Sequence, residues 1–187
     1  DIALIQEGAT DYRIRKSTEK LADYICIQDI FNKTSIFIHK NLDWEHIKYK
    51  SKKGLYHTLI LLKCKSEETE ETEQILIGSF YRPPSSKRKS SEVLQIIEDV
   101  KLKERKKGND IKQVIYGGDL NSTHEYWGLQ KHWNYKYDKR YKDGTDLLEK
   151  NREKGYEIIN NGQPTRYWLT GGEIKTCLLY TSDAADD

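Results

Sequence analysis

A carboxylate and a carboxamide stand two residues apart, directly after a short apolar run that ends in two glycines: Val114-Ile115-Tyr116-Gly117-Gly118-Asp119-Leu120-Asn121. The run has the length and β-branched content of a strand, and glycines let the backbone bend or approach a ligand closely. Side chains two apart on an extended segment share a face, so Asp119 and Asn121 are predicted to point the same way. Asp can act as a base or metal ligand and Asn can donate and accept, which suits a water and a phosphate oxygen. A strand end followed by an Asx-turn explains the same residues equally well.

Two other predicted strands also end in polar side chains. The apolar run from Ile2 to Ile5 is followed by Glu7, and the run from Ile75 to Tyr81 is followed by Arg82 and two prolines. The prolines stop the strand and stiffen its exit, which holds Tyr81 and Arg82 at a strand end. A solvated loop glutamate and a surface Tyr-Arg pair beside a proline turn are the ordinary alternatives.

The composition permits several kinds of protein and argues against others. The chain has 187 residues with 33% charged residues and a net charge of +2, a balance that permits nucleic acid as a partner without demanding it. No apolar run reaches membrane-spanning length and no signal-peptide pattern opens the chain, so we expect an intracellular protein without membrane contact. Three cysteines without a CxxC pair argue against a zinc site and a disulfide framework.

Basic residues cluster locally, including at Lys48 to Lys53, and most such runs are solvated faces. From Gly128 to Tyr141, Trp, Tyr, Lys and His alternate, which suits stacking against nucleic acid as well as ordinary loop packing.

The order of elements predicts a sheet-rich fold with two helices. Strands are predicted at residues 2–5, 24–29, 34–39, 42–49, 55–64, 74–81, 114–116 and 156–160. A helix is predicted from Ser90 to near Gly108 with its apolar stripe at Val93, Ile96, Ile97 and Val100, and a second from Thr145 to Lys154 after Asp143-Gly144. This pattern favours an α/β or α+β sandwich of sheets flanked by helices over a doubly wound parallel sheet.

Four segments in order resemble the endonuclease/exonuclease/phosphatase superfamily, and more narrowly the apurinic-endonuclease-like domain of non-LTR retrotransposons. They are Gln6-Glu7, Tyr81-Arg82-Pro83-Pro84, Gly117-Gly118-Asp119-Leu120-Asn121 with Trp127-Gly128, and Asn161-Gly162-Gln163-Pro164-Thr165. Each motif is weak alone, but four in this order are fairly specific. The resemblance implies a four-layer sandwich of two mixed sheets flanked by helices, with the site at one edge where strand-end loops converge.

The resemblance also implies roles for single residues. Glu7 matches the family's ligand to a divalent metal, Mg²⁺ or Mn²⁺, and an oxygen ligand suits such a hard cation. Asp119 matches the residue that orients or deprotonates the attacking water, Asn121 the one that holds the scissile phosphate, and Tyr81 a tyrosine that contacts it. His124 is a candidate contact to DNA, with a structural role as the alternative.

Arg82 is a second candidate for substrate binding, and bracing of the loop is the alternative role. The family's Asn before the Glu would lie before Asp1, and neither an Asp-containing strand after Thr165 nor a final Ser-Asp-His is recognisable. Residues 177–187 resemble the translation of a sequencing adapter, a genuine polar C-terminus being the alternative. We therefore expect an endonuclease/exonuclease/phosphatase-like domain over residues 1–176, incomplete at both ends, followed by a non-native tail.

The leading functional hypothesis is a metal-dependent DNA endonuclease domain of a retrotransposon polyprotein, which nicks target DNA in the nucleus to prime reverse transcription. Its implied partners are DNA and the reverse transcriptase domain of the same polyprotein, and the fragment itself is expected to be inactive. The alternatives are a free-standing repair nuclease or phosphatase of the same superfamily, and a decayed copy that binds nucleic acid without cleaving it.

Overall fold

The computed structural model describes residues 1–6, 22–65, 72–127 and 138–159, together with the backbone of 166–170 and 173–177. The predictions for Glu7, for residues 128–137, for the Asn161 to Thr165 motif and for residues 178–187 lie outside these ranges.

In the described ranges the chain forms nine strands and two α-helices. The strands are β1 (Ile2–Gln6), β2 (Tyr24–Gln28), β3 (Thr34–His39), β4 (Asp43–His46), β5 (Tyr56–Lys65), β6 (Thr72–Tyr81), β7 (Ile111–Asp119), β8 (Arg166–Thr170) and β9 (Glu173–Cys177). The helices are α1 (Glu92–Arg105), between β6 and β7, and α2 (Lys139–Glu153), between β7 and β8. A short 3-10 helix, Glu125–Trp127, follows β7. These elements make an α+β sandwich, and the predicted fold class is confirmed.

The chain divides into two compact units. The first consists of Asp1–Tyr81 and Gln95–Gly118, and the second of Arg82–Leu94 and the chain from Asp119 onward. No helix in the described ranges is both long and apolar enough to cross a membrane.

Two sheets make up the first unit. One has the strand order β1-β3-β2 and the other β4-β5-β6-β7, and the pairs β1–β3, β2–β3, β4–β5 and β5–β6 are antiparallel. Strands β5 and β6 pair along their whole length, from Tyr56 opposite Tyr81 to Lys65 opposite Thr72. The two apolar segments that were predicted as strands at residues 55–64 and 74–81 therefore form an antiparallel pair.

Apolar side chains from both sheets meet in one core. The three-stranded sheet contributes Ile27, Ile36 and Ile38, and the four-stranded sheet contributes Ile60, Leu62 and Ile77. These isoleucine and leucine side chains bury apolar surface between the sheets. Removing that surface from water stabilises the face-to-face packing of the two sheets. Cys26 on β2 is exposed, Cys64 on β5 is half-buried, and both thiols are free.

Helix α1 was predicted from its apolar stripe, and the structure confirms it. Val93, Ile96, Ile97 and Val100 are all buried, as their spacing of three and four residues requires for one helix face. Near the helix end the buried carboxylate of Glu104 accepts hydrogen bonds from Lys107 Nζ at 2.7 Å and Asn109 Nδ2 at 2.8 Å. These bonds lower the pKa of Glu104 against the opposing effect of its burial.

The second helix begins six residues before its predicted start at Thr145. Asp138 caps α2, since its side chain accepts a hydrogen bond from Arg140 N at 2.7 Å. The prediction that Asp143 and Gly144 precede the helix was wrong, because both lie inside it. Gly144 is tolerated there because the backbone of Thr123 packs against it, and a Cβ at this position would lie 2.2 Å from Thr123 O.

The strand predicted at residues 156–160 is not formed by its described part, residues 156–159. Tyr156 N instead donates to Asn151 O at 2.9 Å, which keeps this segment on the end of α2, and the Ile159 side chain is exposed. The later Tyr-Trp-Leu segment forms β8, which pairs antiparallel with β9.

Candidate active site

A glycine at the end of β7 allows a close approach to β6. Gly118 has a φ of 146°, and a Cβ there would lie 1.8 Å from the backbone oxygen of Phe80. Any other residue would therefore have to push the two backbones apart. The close approach at this glycine is to the neighbouring strand β6, whereas the predicted approach to a ligand stays a prediction.

The chain turns sharply after Asp119. Oδ1 of Asp119 accepts a hydrogen bond from Asn121 N at 3.1 Å, which is an Asx-turn, and Asn121 has a φ of 48°. The prediction that both side chains point the same way from an extended strand was therefore wrong. The strand ends at Asp119, and the backbone of Asn121 adopts the left-handed conformation. Asp119 is half-buried and Asn121 is buried.

Asn121 and Arg82 exchange hydrogen bonds. The Asn121 side-chain Nδ2 donates to Arg82 O at 2.9 Å, and Arg82 Nη2 donates to Asn121 O at 2.8 Å. In addition, Arg82 N donates to Asp119 O at 2.8 Å and Arg82 Nε donates to Leu120 O at 2.7 Å. One arginine thus binds the backbone carbonyl of every residue from Asp119 to Asn121, and it joins two of the predicted motifs.

The Arg82 guanidinium is itself held by a buried carboxylate. Arg82 Nη2 lies 2.9 Å from Asp143 Oδ2, and Ser90 lies between the two, accepting from Arg82 Nε at 3.1 Å and donating its hydroxyl to Asp143. Ser90 N also donates to Asp143 Oδ1 at 3.1 Å. Burial lowers the pKa of Arg82, while the charges of Asp143 and Asp119 oppose that shift. A guanidinium with carboxylate partners keeps its proton, so the site carries a fixed positive charge.

This geometry supports the bracing role for Arg82, which the sequence could not separate from phosphate contact. Its side chain is buried and its Nε, Nη1 and Nη2 all donate to partners in the protein, Nη1 to Arg88 O at 3.4 Å. The predicted contact between Arg82 and substrate stays a prediction.

His124 is packed inside the same unit. Its ring lies nearly parallel to that of Tyr141, with 5.0 Å between the centroids, and Nδ1 accepts from Tyr126 N at 3.0 Å. Burial lowers the pKa of His124, so the imidazole is mainly neutral at pH 7. These contacts are what a structural histidine makes, and the predicted contact with DNA stays a prediction.

Tyr81 ends β6 in the first unit. Its side chain is buried and its ring stacks on Tyr56, with 6.2 Å between centroids and an interplanar angle of 17°. Two residues earlier, Ser79 Oγ accepts from Gln6 Nε2 at 3.0 Å and donates to Ile5 O at 3.3 Å. These bonds fix the end of β1 against β6, at the residue that precedes Glu7.

Glu7, the predicted metal ligand, lies outside the described residues. Within them, no three His, Cys, Asp or Glu side chains come together as a set that could hold a metal ion. Of the predicted site residues that are described, Asp119 offers the anionic oxygen that Mg²⁺ or Mn²⁺ prefers. The predicted metal ligand, Glu7, therefore stays a prediction.

Asp143 and Ser90 were missed by the sequence analysis. Asp143 lies 61 residues from Arg82 along the chain, and the Asp-Gly pair that contains it reads locally as a helix boundary. A buried arginine needs a carboxylate partner, so the burial of Arg82 would have indicated that a residue such as Asp143 lies nearby. The burial of Arg82 could not be predicted from the sequence.

No protein-family model and no curated protein sequence matches the chain. Among solved structures, the crystal structure of D. rerio TDP2 complexed with single strand DNA product is similar, with a TM-score of 0.44 and 14% sequence identity. The similarity covers 95% of this chain and 68% of that one.

Proposed function

We propose that the chain is part of the catalytic domain of a metal-dependent DNA endonuclease, a phosphodiesterase domain of a retrotransposon polyprotein, and that the fragment by itself is inactive. The observation that carries the proposal is the binding of Arg82 to the backbone of Asp119, Leu120 and Asn121. Two motifs that resemble the same nuclease family, and that lie far apart in the sequence, are thereby held in one polar cluster.

Hydrolysis of a phosphodiester requires a group that accepts a proton from the attacking water and donors that meet the charge on the phosphoryl oxygens. Asp119 serves as the proton acceptor, with its Oδ1 oriented by Asn121 N. Asn121 Nδ2 carries two hydrogens, one of which goes to Arg82 O. The other is available in this proposal for a phosphate oxygen.

Arg82 acts in this scheme through position and charge. Its hydrogen bonds keep the Asp119 to Asn121 turn in one geometry, so little reorganisation is needed when the substrate binds. The metal, with Glu7 as ligand, would supply positive charge to the phosphoryl oxygens when bound. The proposed partners are DNA and a reverse transcriptase domain in the same polyprotein, and the proposed place of action is the nucleus.

The test is a plasmid-nicking assay with the protein encoded by the uninterrupted reading frame around residues 1–176. With Mg²⁺ present, Asp119→Ala is expected to slow nicking about 100-fold or more, the usual contribution of a general base. Asp110→Ala is the matched control, since Asp110 is exposed and its carboxylate forms a surface ion pair with Lys112 Nζ at 2.7 Å, and the variant should nick at the wild-type rate.

Nicking that survives Asp119→Ala would overturn the role of Asp119. Salt-dependent DNA binding without any metal-dependent nicking by the wild-type protein would instead favour the decayed, non-catalytic copy. A reverse transcriptase reading frame downstream separates the retrotransposon domain from a free-standing repair nuclease or phosphatase.

A further inference from the structure

Two large apolar side chains occupy the centre of the turn between β2 and β3. Asn32 N donates to Asp29 O at 3.0 Å, which closes a β-turn with Ile30 and Phe31 at its two central positions. Ile30 is 81% exposed and Phe31 is 46% exposed. Central turn positions usually carry polar residues, glycine or proline, so the turn itself does not require an Ile-Phe pair here.

The turn is held rigid by a different residue. The buried Asp29 carboxylate accepts hydrogen bonds from three backbone N–H groups, those of Phe31 at 3.1 Å, Lys33 at 2.6 Å and Thr34 at 2.9 Å. Asn32 takes the left-handed conformation with a φ of 53°. Ile30 and Phe31 are thus presented to solvent in a fixed geometry, which lowers the entropy cost of binding a ligand there.

Phe31 begins a row of aromatic rings in the first unit. Its ring meets that of Tyr56 edge to face, with 5.2 Å between centroids, and Tyr56 in turn stacks on Tyr81. The row therefore runs from an exposed ring to the tyrosine that is predicted to contact the scissile phosphate.

Apart from the buried carboxylate of Asp29, the charged residues that flank Phe31 and Tyr56 in the sequence are lysines. Lys33 lies in the turn, and Lys50 and Lys53 precede Tyr56, all with exposed side chains. No acidic residue occurs between Ile30 and Leu42 or between His46 and Lys65. An exposed aromatic group among lysines is complementary to a nucleobase next to its phosphate, whereas an apolar protein partner would gain nothing from these charges.

We propose that the Ile30-Phe31 turn is a base-stacking site for single-stranded or unpaired DNA, in which Phe31 stacks on a base and Lys33 and Lys53 meet the flanking phosphates. The inference rests on the proposed function, because it names a DNA subsite for the same enzyme. Ile30 supplies an apolar wedge beside the stacked base, as apolar side chains do in proteins that unstack DNA.

The test is fluorescence anisotropy of a short labelled oligo-dT titrated with the full chain in EDTA, so that no cleavage intervenes. Phe31→Leu keeps an apolar side chain but removes the ring, and should weaken binding about tenfold. Phe31→Trp should bind at least as tightly as the wild-type. Leu102→Ala is the control, since Leu102 is an exposed apolar residue of α1 and has no part in the row.

Ile30→Ser provides a second variant that cannot disturb packing, and a several-fold loss of affinity is expected. Wild-type affinity in Phe31→Leu, or an equal loss in Phe31→Leu and Phe31→Trp, would overturn the stacking site. The two proposals fail separately: if Asp119→Ala loses nicking while Phe31→Leu binds oligo-dT as tightly as the wild-type, only the stacking site is overturned. If Phe31→Leu weakens oligo-dT binding but the wild-type protein does not nick DNA, only the proposed nuclease activity is overturned.

Discussion

Arg82 and Asp143 form a buried ion pair, with Nη2 of the arginine 2.9 Å from Oδ2 of the aspartate and side-chain exposures of 5% and 12%. Arg82 binds the carbonyls of the Asp119 to Asn121 turn, and Asp143 belongs to α2. Asp143 of helix α2 thus holds the proposed catalytic turn through Arg82 and, by way of Ser90, through the carbonyl of Leu120.

Removing Asp143 should be far more costly than removing an exposed carboxylate. Asp143→Ala leaves the Arg82 guanidinium buried without its carboxylate, so the free energy of unfolding should fall by about 3–5 kcal/mol in urea denaturation. Asp110→Ala, which breaks the exposed pair with Lys112, should leave stability unchanged within error. Similar losses in the two variants would contradict the structural role given to the buried pair.

The left-handed backbone at Asn121 predicts a difference between two substitutions. Both Asn121→Ala and Asn121→Gly lose the hydrogen bond to Arg82 O, but only glycine adopts a φ of 48° without strain. Asn121→Ala should therefore be about 1 kcal/mol less stable than Asn121→Gly by thermal or urea unfolding. An alanine variant as stable as the glycine variant would show that the turn relaxes.

Gly144 should resist the substitution that usually stabilises a helix. Gly-to-Ala in a helix interior ordinarily gains about 1 kcal/mol from helix propensity. Here the new Cβ would lie 2.2 Å from Thr123 O, a backbone atom, so Gly144→Ala should lower the free energy of unfolding by about 1–3 kcal/mol. Lys142→Ala, at an exposed position of the same helix, is the control and should change little; a stabilised Gly144→Ala would mean that α2 moves freely away from Thr123.

His57 should make stability depend on pH in a defined window. The side chain is buried between the rings of Tyr49 and Phe80, and burial lowers its pKa from 6.5 to about 4, partly opposed by a backbone hydrogen bond with Tyr49 and the charge of Asp29. Between these two values the unfolded chain binds a proton that the folded protein does not. The free energy of unfolding should thus be unaffected above pH 6.5 and fall by about 1.4 kcal/mol per unit as the pH drops toward 4.

Urea unfolding between pH 7 and 4 measures this slope, and His57→Gln should flatten it. Burial also lowers the pKa values of His46 and His124, so a smaller slope should remain in the variant. An unchanged slope in His57→Gln would show that His57 is not the group that titrates.

The sequence predicted most strands and helix α1, because those features are local. Continuous apolar runs predicted β5 and β6, and a spacing of three and four residues predicted the buried face of α1. The sequence failed at the start of α2, where Gly144 reads as a helix breaker. Gly144 lies inside the helix because it packs against the backbone of Thr123, which is 21 residues earlier in the sequence.

For the proposed site, the residue types at the strand ends can be read from the sequence: Asp119 and Asn121 at the end of β7, and Tyr81 and Arg82 at the end of β6. The contacts of those side chains depend on the folded structure. The spacing of two residues predicted that Asp119 and Asn121 share a face. In the structure Asp119 instead accepts a hydrogen bond from Asn121 N in a turn, and the Asn121 side chain donates to Arg82 O. The burial of Arg82 and its pairing with Asp143 depend on desolvation and on a partner brought from a distant helix, and neither can be read from local spacing.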